Sequence, residues 1–81
     1  MSNREKLVRQ LLLKPTDMRF DEVVTVLRHY GYERKKGSGT SHQRFVCPGK
    51  HPIGFPVSGD RVKRVYLVEI IKLLGLEEEA V

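Results

Sequence analysis

Apolar residues recur along this chain in two rhythms, and the changes between them mark out its elements. Near the start, Leu7, Val8, Leu11 and Leu12 fall on one face of a helix. Ser2 and Glu5 have capping-box spacing, which satisfies exposed backbone donors at a helix start. Pro15 disfavours helical geometry at Lys14, so a helix is predicted over residues 2–14. A second helix is clearer: Phe20, Val23, Val24 and Leu27 recur at i, i+3, i+4 and i+7. Asp21 and Glu22 suit the positive end of its dipole. Gly31 can take the left-handed conformation that closes it, with Tyr32 folding back onto it.

The rhythm then shortens to two. Residues 32–36 form a short, basic strand candidate, followed by a turn at Gly37–Gly39. Residues 41–47 alternate, with Phe45 and Cys47 on one side and His42 and Arg44 on the other. The bulky apolar pair belongs inside, so His42 and Arg44 face solvent. Residues 53–57 alternate too, and Pro56, which cannot donate to a ladder, makes this an edge strand or a strand end. A final helix is predicted from about Val62 to Leu74, with Leu67, Ile70, Ile71 and Leu74 buried. Gly75 is its C-cap, and Glu77 to Glu79 form an acidic end.

The order helix, helix, strands, helix predicts an α+β fold. It is a small antiparallel three-stranded sheet with helices packed on one face. The other face stays open and carries His42 and Arg44. The 81 residues make one domain, with residues 1–15 as an additional N-terminal helix and residues 20–76 as the core. A chain this short has no room for a deep cavity, so any active site belongs on an open face or in a shallow groove. No apolar run is long enough for a membrane span, and the polar start lacks a signal-peptide pattern. The single cysteine, Cys47, builds no disulfide framework. The cytoplasm is the expected compartment.

Charge alters this picture through its distribution. From Arg28 to Arg64 nine basic residues face two acidic ones, Glu33 and Asp60, a balance of +7. The remaining positions hold six basic and eight acidic residues, a balance of −2. A basic centre attracts polyanions, of which nucleic acid is the commonest; a solvated surface is the plainer explanation.

Among residues able to carry chemistry, His42 comes first. It opens a strand after a Gly-rich turn, and an accessible imidazole exchanges a proton near neutral pH. Basic neighbours could hold a phosphate and offset charge developing at phosphorus. His29 lies beside a buried helical stripe, and His51 sits in a loop. His42, Cys47 and His51 form a poor zinc set, because structural zinc uses four ligands, often with paired cysteines. Cys47 reads better as a small packed residue. Gly37-Ser38-Gly39-Thr40 lacks the full nucleotide-binding pattern and opens no helix, so no small-molecule cofactor is expected. Tyr66 either stacks on a base or packs against the sheet. Lys63 and Arg64 lie near a helix N-terminus, where the macrodipole disfavours cations; an anion site there explains them, and so does solvated charge.

The run Gly39-Thr40-Ser41-His42-Gln43-Arg44-Phe45 follows a helix ending at Gly31-Tyr32 and a basic strand, and it resembles the signature of the HicA toxins. Pro56-Val57-Ser58-Gly59, then Val62-Lys63-Arg64-Val65-Tyr66-Leu67 and an Ile/Leu-rich helix, extend the resemblance over residues 20–76. The resemblance implies a double-stranded-RNA-binding-domain-like fold, ribosome-independent mRNA cleavage and inhibition by a HicB-type antitoxin. It assigns catalysis to His42. Many members carry a histidine where this chain has Ser58, and the N-terminal helix is an addition to the family pattern.

Three functions follow as expectations. The first is a metal-independent endoribonuclease toxin in which His42 moves the proton and Lys35, Lys36, Ser41, Arg44, Lys63 and Arg64 bind RNA. The second is a non-catalytic RNA-binding module on the same fold. The third is a basic protein-interaction domain that uses the open face or sheet edge.

Overall fold

Helix α1 (Asn3–Leu12) ends two residues before its sequence-predicted limit. Lys14 takes a left-handed backbone (φ 52°) immediately before Pro15, and its N–H closes the last turn onto the Leu11 carbonyl at 2.9 Å. The computed structural model describes residues 3–35 and 42–76, so the capping role assigned to Ser2 lies outside the described residues. Leu7 and Leu11 are buried while Val8 and Leu12 are half-buried, in agreement with the periodicity. Although it reads as an addition in sequence, α1 contributes to the one hydrophobic core.

Helix α2 (Phe20–His29) buries Val23, Val26 and Leu27, with Phe20 and Val24 packed at the margin. Its start is held by the Arg19 N–H, which donates to Glu22 Oε1 at 3.3 Å. Its end is a Schellman closure: Gly31 (φ 88°) donates to the Arg28 carbonyl and Tyr32 to the Leu27 carbonyl, each at 3.0 Å. The left-handed turn sends Tyr32 back into the core. There its hydroxyl donates to the His51 carbonyl at 3.0 Å. Burial pushes the Tyr32 pKa above the ordinary tyrosine value, and the neighbouring Cys47 thiol adds to the shift.

Strands β2 (Glu33–Lys35), β3 (His42–Val46) and β4 (Ile53–Pro56) form the antiparallel three-stranded sheet, in the order β2-β3-β4. Register pairs Arg34 with Phe45, Phe45 with Ile53 and Gln43 with Phe55, and paired residues share a face. Phe45, Ile53 and Phe55 are buried on it. The Phe45 and Phe55 rings stack with centroids 5.7 Å apart, and Phe20 approaches both at 6.3–6.4 Å. Arg34, the inward residue of β2, lays its guanidinium over the Phe20 ring at 5.3 Å, a cation–π contact at the core margin.

The last helix, α3, spans Arg64–Leu74 and therefore starts two residues later than the periodicity predicts. Val62 and Lys63 belong instead to a strand, β5 (Arg61–Lys63), paired antiparallel with β1 (Asp17–Arg19) in a second, two-stranded sheet. Both strands escape sequence reading. Each is three residues long and presents one buried side chain, Met18 or Val62, which is too short a run to show a period. Gly75 (φ 70°) closes α3 and turns Leu76 into the core. The architecture is α+β, with three helices and two antiparallel sheets among the described residues. No helix of these residues is long and apolar enough to cross a membrane.

Because α1 fills the core, Leu11→Ala lowers the unfolding free energy by about 2–5 kcal/mol. Urea denaturation followed by circular dichroism checks this; a loss under about 1 kcal/mol would make α1 an appendage.

Candidate functional site

The face of the three-stranded sheet turned away from the core is built by alternation. With Phe45 inside, His42, Arg44 and Val46 of β3 must point outward. Register then assembles the outer face in rows. Glu33 sits across from Val46, Lys35 across from Arg44 and Arg44 across from Gly54, and His42 across from Pro56. Lys35, His42, Arg44 and Gly54 are exposed. His42 and Arg44 lie about 7 Å apart along the strand, and Lys35 and Arg44 are direct cross-strand neighbours about 5 Å apart at Cβ.

Two cations, Lys35 and Arg44, outweigh the one acid, Glu33, among the described residues of this face. Like charges directly opposite each other on a sheet repel. Neither Lys35 nor Arg44 forms an ion pair among the described residues to offset this. The acid nearest in register, Glu33, stands one row away on the side opposite His42 and forms no ion pair with either cation. Gly54 leaves the flank of Arg44 bare of any side chain. The arrangement can hold an anion between two cations and present it to an imidazole one row away, where a proton can be taken or given.

The other sequence-predicted residues separate. Lys36 and Ser41 lie outside the described residues. Lys63, with Pro56, Val57, Ser58 and Tyr66, lines a concavity of about 250 Å³ at the end of β4. Pro56 is the cross-strand partner of His42, so this hollow adjoins the outer face at the histidine end. Arg64 has a different occupation. Its N–H donates to the Thr16 carbonyl at 2.9 Å, Nε to the Pro15 carbonyl at 3.2 Å and Nη2 to Thr16 Oγ1 at 3.4 Å. It fastens α3 to the loop after α1, apart from the sheet-face cations. Lys63 and Arg64, neighbours in sequence, have different surroundings: Lys63 ends β5 and lines the hollow, while Arg64 opens α3 and bonds to the loop.

His29 is exposed at the end of α2, its ring set edge-on to Tyr30 at 5.1 Å. His51 serves through its carbonyl, which accepts from Tyr32, and its ring Nδ1 lies 2.8 Å from the Pro52 carbonyl. Cys47 is half-buried against Gly31, where an added Cβ would meet its Sγ at 3.5 Å. Among the described residues no three His, Cys, Asp or Glu side chains gather closely enough to hold a metal ion. The hollow at Ser58 and Tyr66 is the feature that sequence reading missed. Tyr66 gave an ambiguous signal there, and Pro56 and Ser58 gave none as lining residues.

Compared with protein-family models, curated proteins and solved structures, the chain matches none.

Arg64→Ala removes side-chain contacts that hold α3 to the loop, so it lowers stability by roughly 0.5–1.5 kcal/mol. Polyanion affinity of the folded protein stays unchanged. Thermal unfolding and a binding titration check the split; a variant of full stability with weakened binding would return Arg64 to the cationic face.

Proposed function

We propose that this chain is an RNA-cleaving toxin of the HicA type that acts in the cytoplasm and is neutralised by a HicB-type antitoxin. The observation that carries the reading is the shared outer row of the sheet: Lys35 against Arg44, with His42 one row away on the same exposed face. The resemblance of residues 39–45 to the family signature points to the same histidine.

The chemistry follows from that placement. Arg44 and Lys35 hold the non-bridging oxygens of one phosphate and offset charge as it develops there. His42 takes the proton of the adjacent ribose 2′-hydroxyl as that oxygen attacks phosphorus. The bond from phosphorus to the 5′ oxygen breaks, and a proton passes to the leaving oxygen. The products are a 2′,3′-cyclic phosphate and a 5′-hydroxyl. Ser58 stands where many members of that family carry a second histidine, and a hydroxyl does not exchange protons readily at neutral pH. His42 is therefore the one proton-transfer group assigned to the reaction, and the leaving oxygen takes its proton from His42 or from water.

The same substitution favours a second reading, an RNA-binding module without cleavage. The two differ in one experiment. The parent protein and His42→Ala are expressed under tight induction, with growth and total mRNA integrity followed together. Growth arrest and mRNA loss are expected with the parent alone, and purified His42→Ala cleaves about 10²–10⁴-fold more slowly. Equal toxicity of the two proteins sinks the proposal; RNA bound but never cut by either selects the module.

Phosphate contacts by Lys35 and Arg44 have their own signature. In the His42→Ala background, Lys35→Ala and Arg44→Ala each reduce the slope of log affinity against log salt by about 0.7 for single-stranded RNA. Unchanged slopes would remove these cations from the binding face.

A further inference from the structure

The hollow beside His42 is not used by the reaction above. Its walls are Pro56 at the end of β4, Val57 and Ser58 just after it, Lys63 at the end of β5, and Tyr66 in the first turn of α3. The turn is held rigidly: the Ser58 N–H donates to the Arg61 carbonyl at 2.9 Å, and the Arg61 N–H returns to the Ser58 carbonyl at 3.0 Å. The β1–β5 ribbon anchors the far wall through the pairing of Lys63 with Asp17. The site therefore rests on ordered backbone.

The lining is of two kinds. Pro56, Val57 and the half-buried ring of Tyr66 supply apolar surface. The Ser58 hydroxyl, the Tyr66 hydroxyl and the Lys63 ammonium supply polar groups, none with a hydrogen-bond partner among the described residues. Apolar walls with a few convergent polar groups are the make-up of a ligand site. At about 250 Å³ the hollow falls below the range of about 300–1,000 Å³ usual for drug-sized ligands, so it suits one ring system. It adjoins the row that carries His42, and a cation stands at its rim.

We infer that this hollow is a nucleobase pocket, which takes the base of one nucleotide next to the phosphate held by Lys35 and Arg44. Tyr66 provides the stacking surface, Ser58 reads the base edge by hydrogen bonding, and Lys63 meets the phosphate on the outer side. Stacking accepts any base, so discrimination falls to Ser58. The pocket selects which nucleotide is presented to His42. The inference rests on the RNA reading, because the sheet-face cations supply the phosphate that brings a base here. A side chain of a partner protein is the competing occupant, and it lacks that phosphate.

Abasic RNA tests the pocket on the intact fold. His42→Ala protein is titrated with a short single-stranded RNA and with a series of the same RNA carrying one abasic nucleotide at successive positions. One position is expected to weaken binding by about 5- to 150-fold, the range for a stacked base, while neighbouring positions change little. In a His42→Ala/Tyr66→Leu protein, where a leucine keeps the packing, that positional loss disappears. In His42→Ala/Ser58→Ala the loss remains, but the base preference at that position flattens. Intact RNA that binds while every abasic RNA binds equally well overturns the pocket and leaves the RNA reading standing. No RNA binding at low salt overturns both.

Discussion

The packing of three phenylalanine rings sets the rest of the arrangement. Phe45 and Phe55 stack across β3 and β4, and Phe20 of α2 closes over both. Side chains on a strand alternate, so the inward placement of Phe45 commits His42 and Arg44 to the opposite face. A slip of one residue would bury the imidazole and guanidinium and expose the ring. The cost of burying an unpaired guanidinium forbids that alternative as firmly as the rings favour the observed one. The site is thus held by a core that it does not touch.

The short ribbon of β1 and β5 is the second tie. A two-stranded sheet has little stability of its own. Here Met18 and Val62 sink into the common core, and the ladder runs on at both ends: Phe20 N–H donates to the Asp60 carbonyl and Arg64 N–H to the Thr16 carbonyl. The starts of α2 and α3 are joined by this means. The exposed ion pair of Arg61 with Asp17 at 3.3 Å adds little in comparison, since solvent screens it. What the ribbon secures is position: Lys63 and Tyr66 stand against the end of β4 because β5 delivers the chain there.

Charge on the outer face works against the fold. Lys35 and Arg44 repel across the sheet, and Glu33 on the adjoining row forms no ion pair with either of them. A surface selected for stability alone would alternate signs at such a pair. The repulsion is relieved when an anion lies between the two cations, and this makes the sheet face a place to look for function.

Much of this was legible in the residue pattern. The period of 3.6 located α1, α2 and α3, and the glycines at positions 31 and 75 closed two of them through left-handed backbone. The period of two put Phe45 inside and His42 and Arg44 outside, so the open face and its histidine followed from alternation alone. These are local rules, which depend on neighbours in sequence. Tertiary structure decided the features that depend on distant partners. Strands of three residues carry no period, so β1 and β5 exist only because each has the other and a core beneath them. Arg64 reads as one more cation beside Lys63, but its partners, Pro15 and Thr16, lie 49 and 48 residues away. Lys35 meets Arg44 only through register, and Ser58 joins Tyr66 in one hollow only because the ribbon folds α3 back against β4. Pattern in the sequence determines which way a side chain points; the company it keeps there is set by long-range packing.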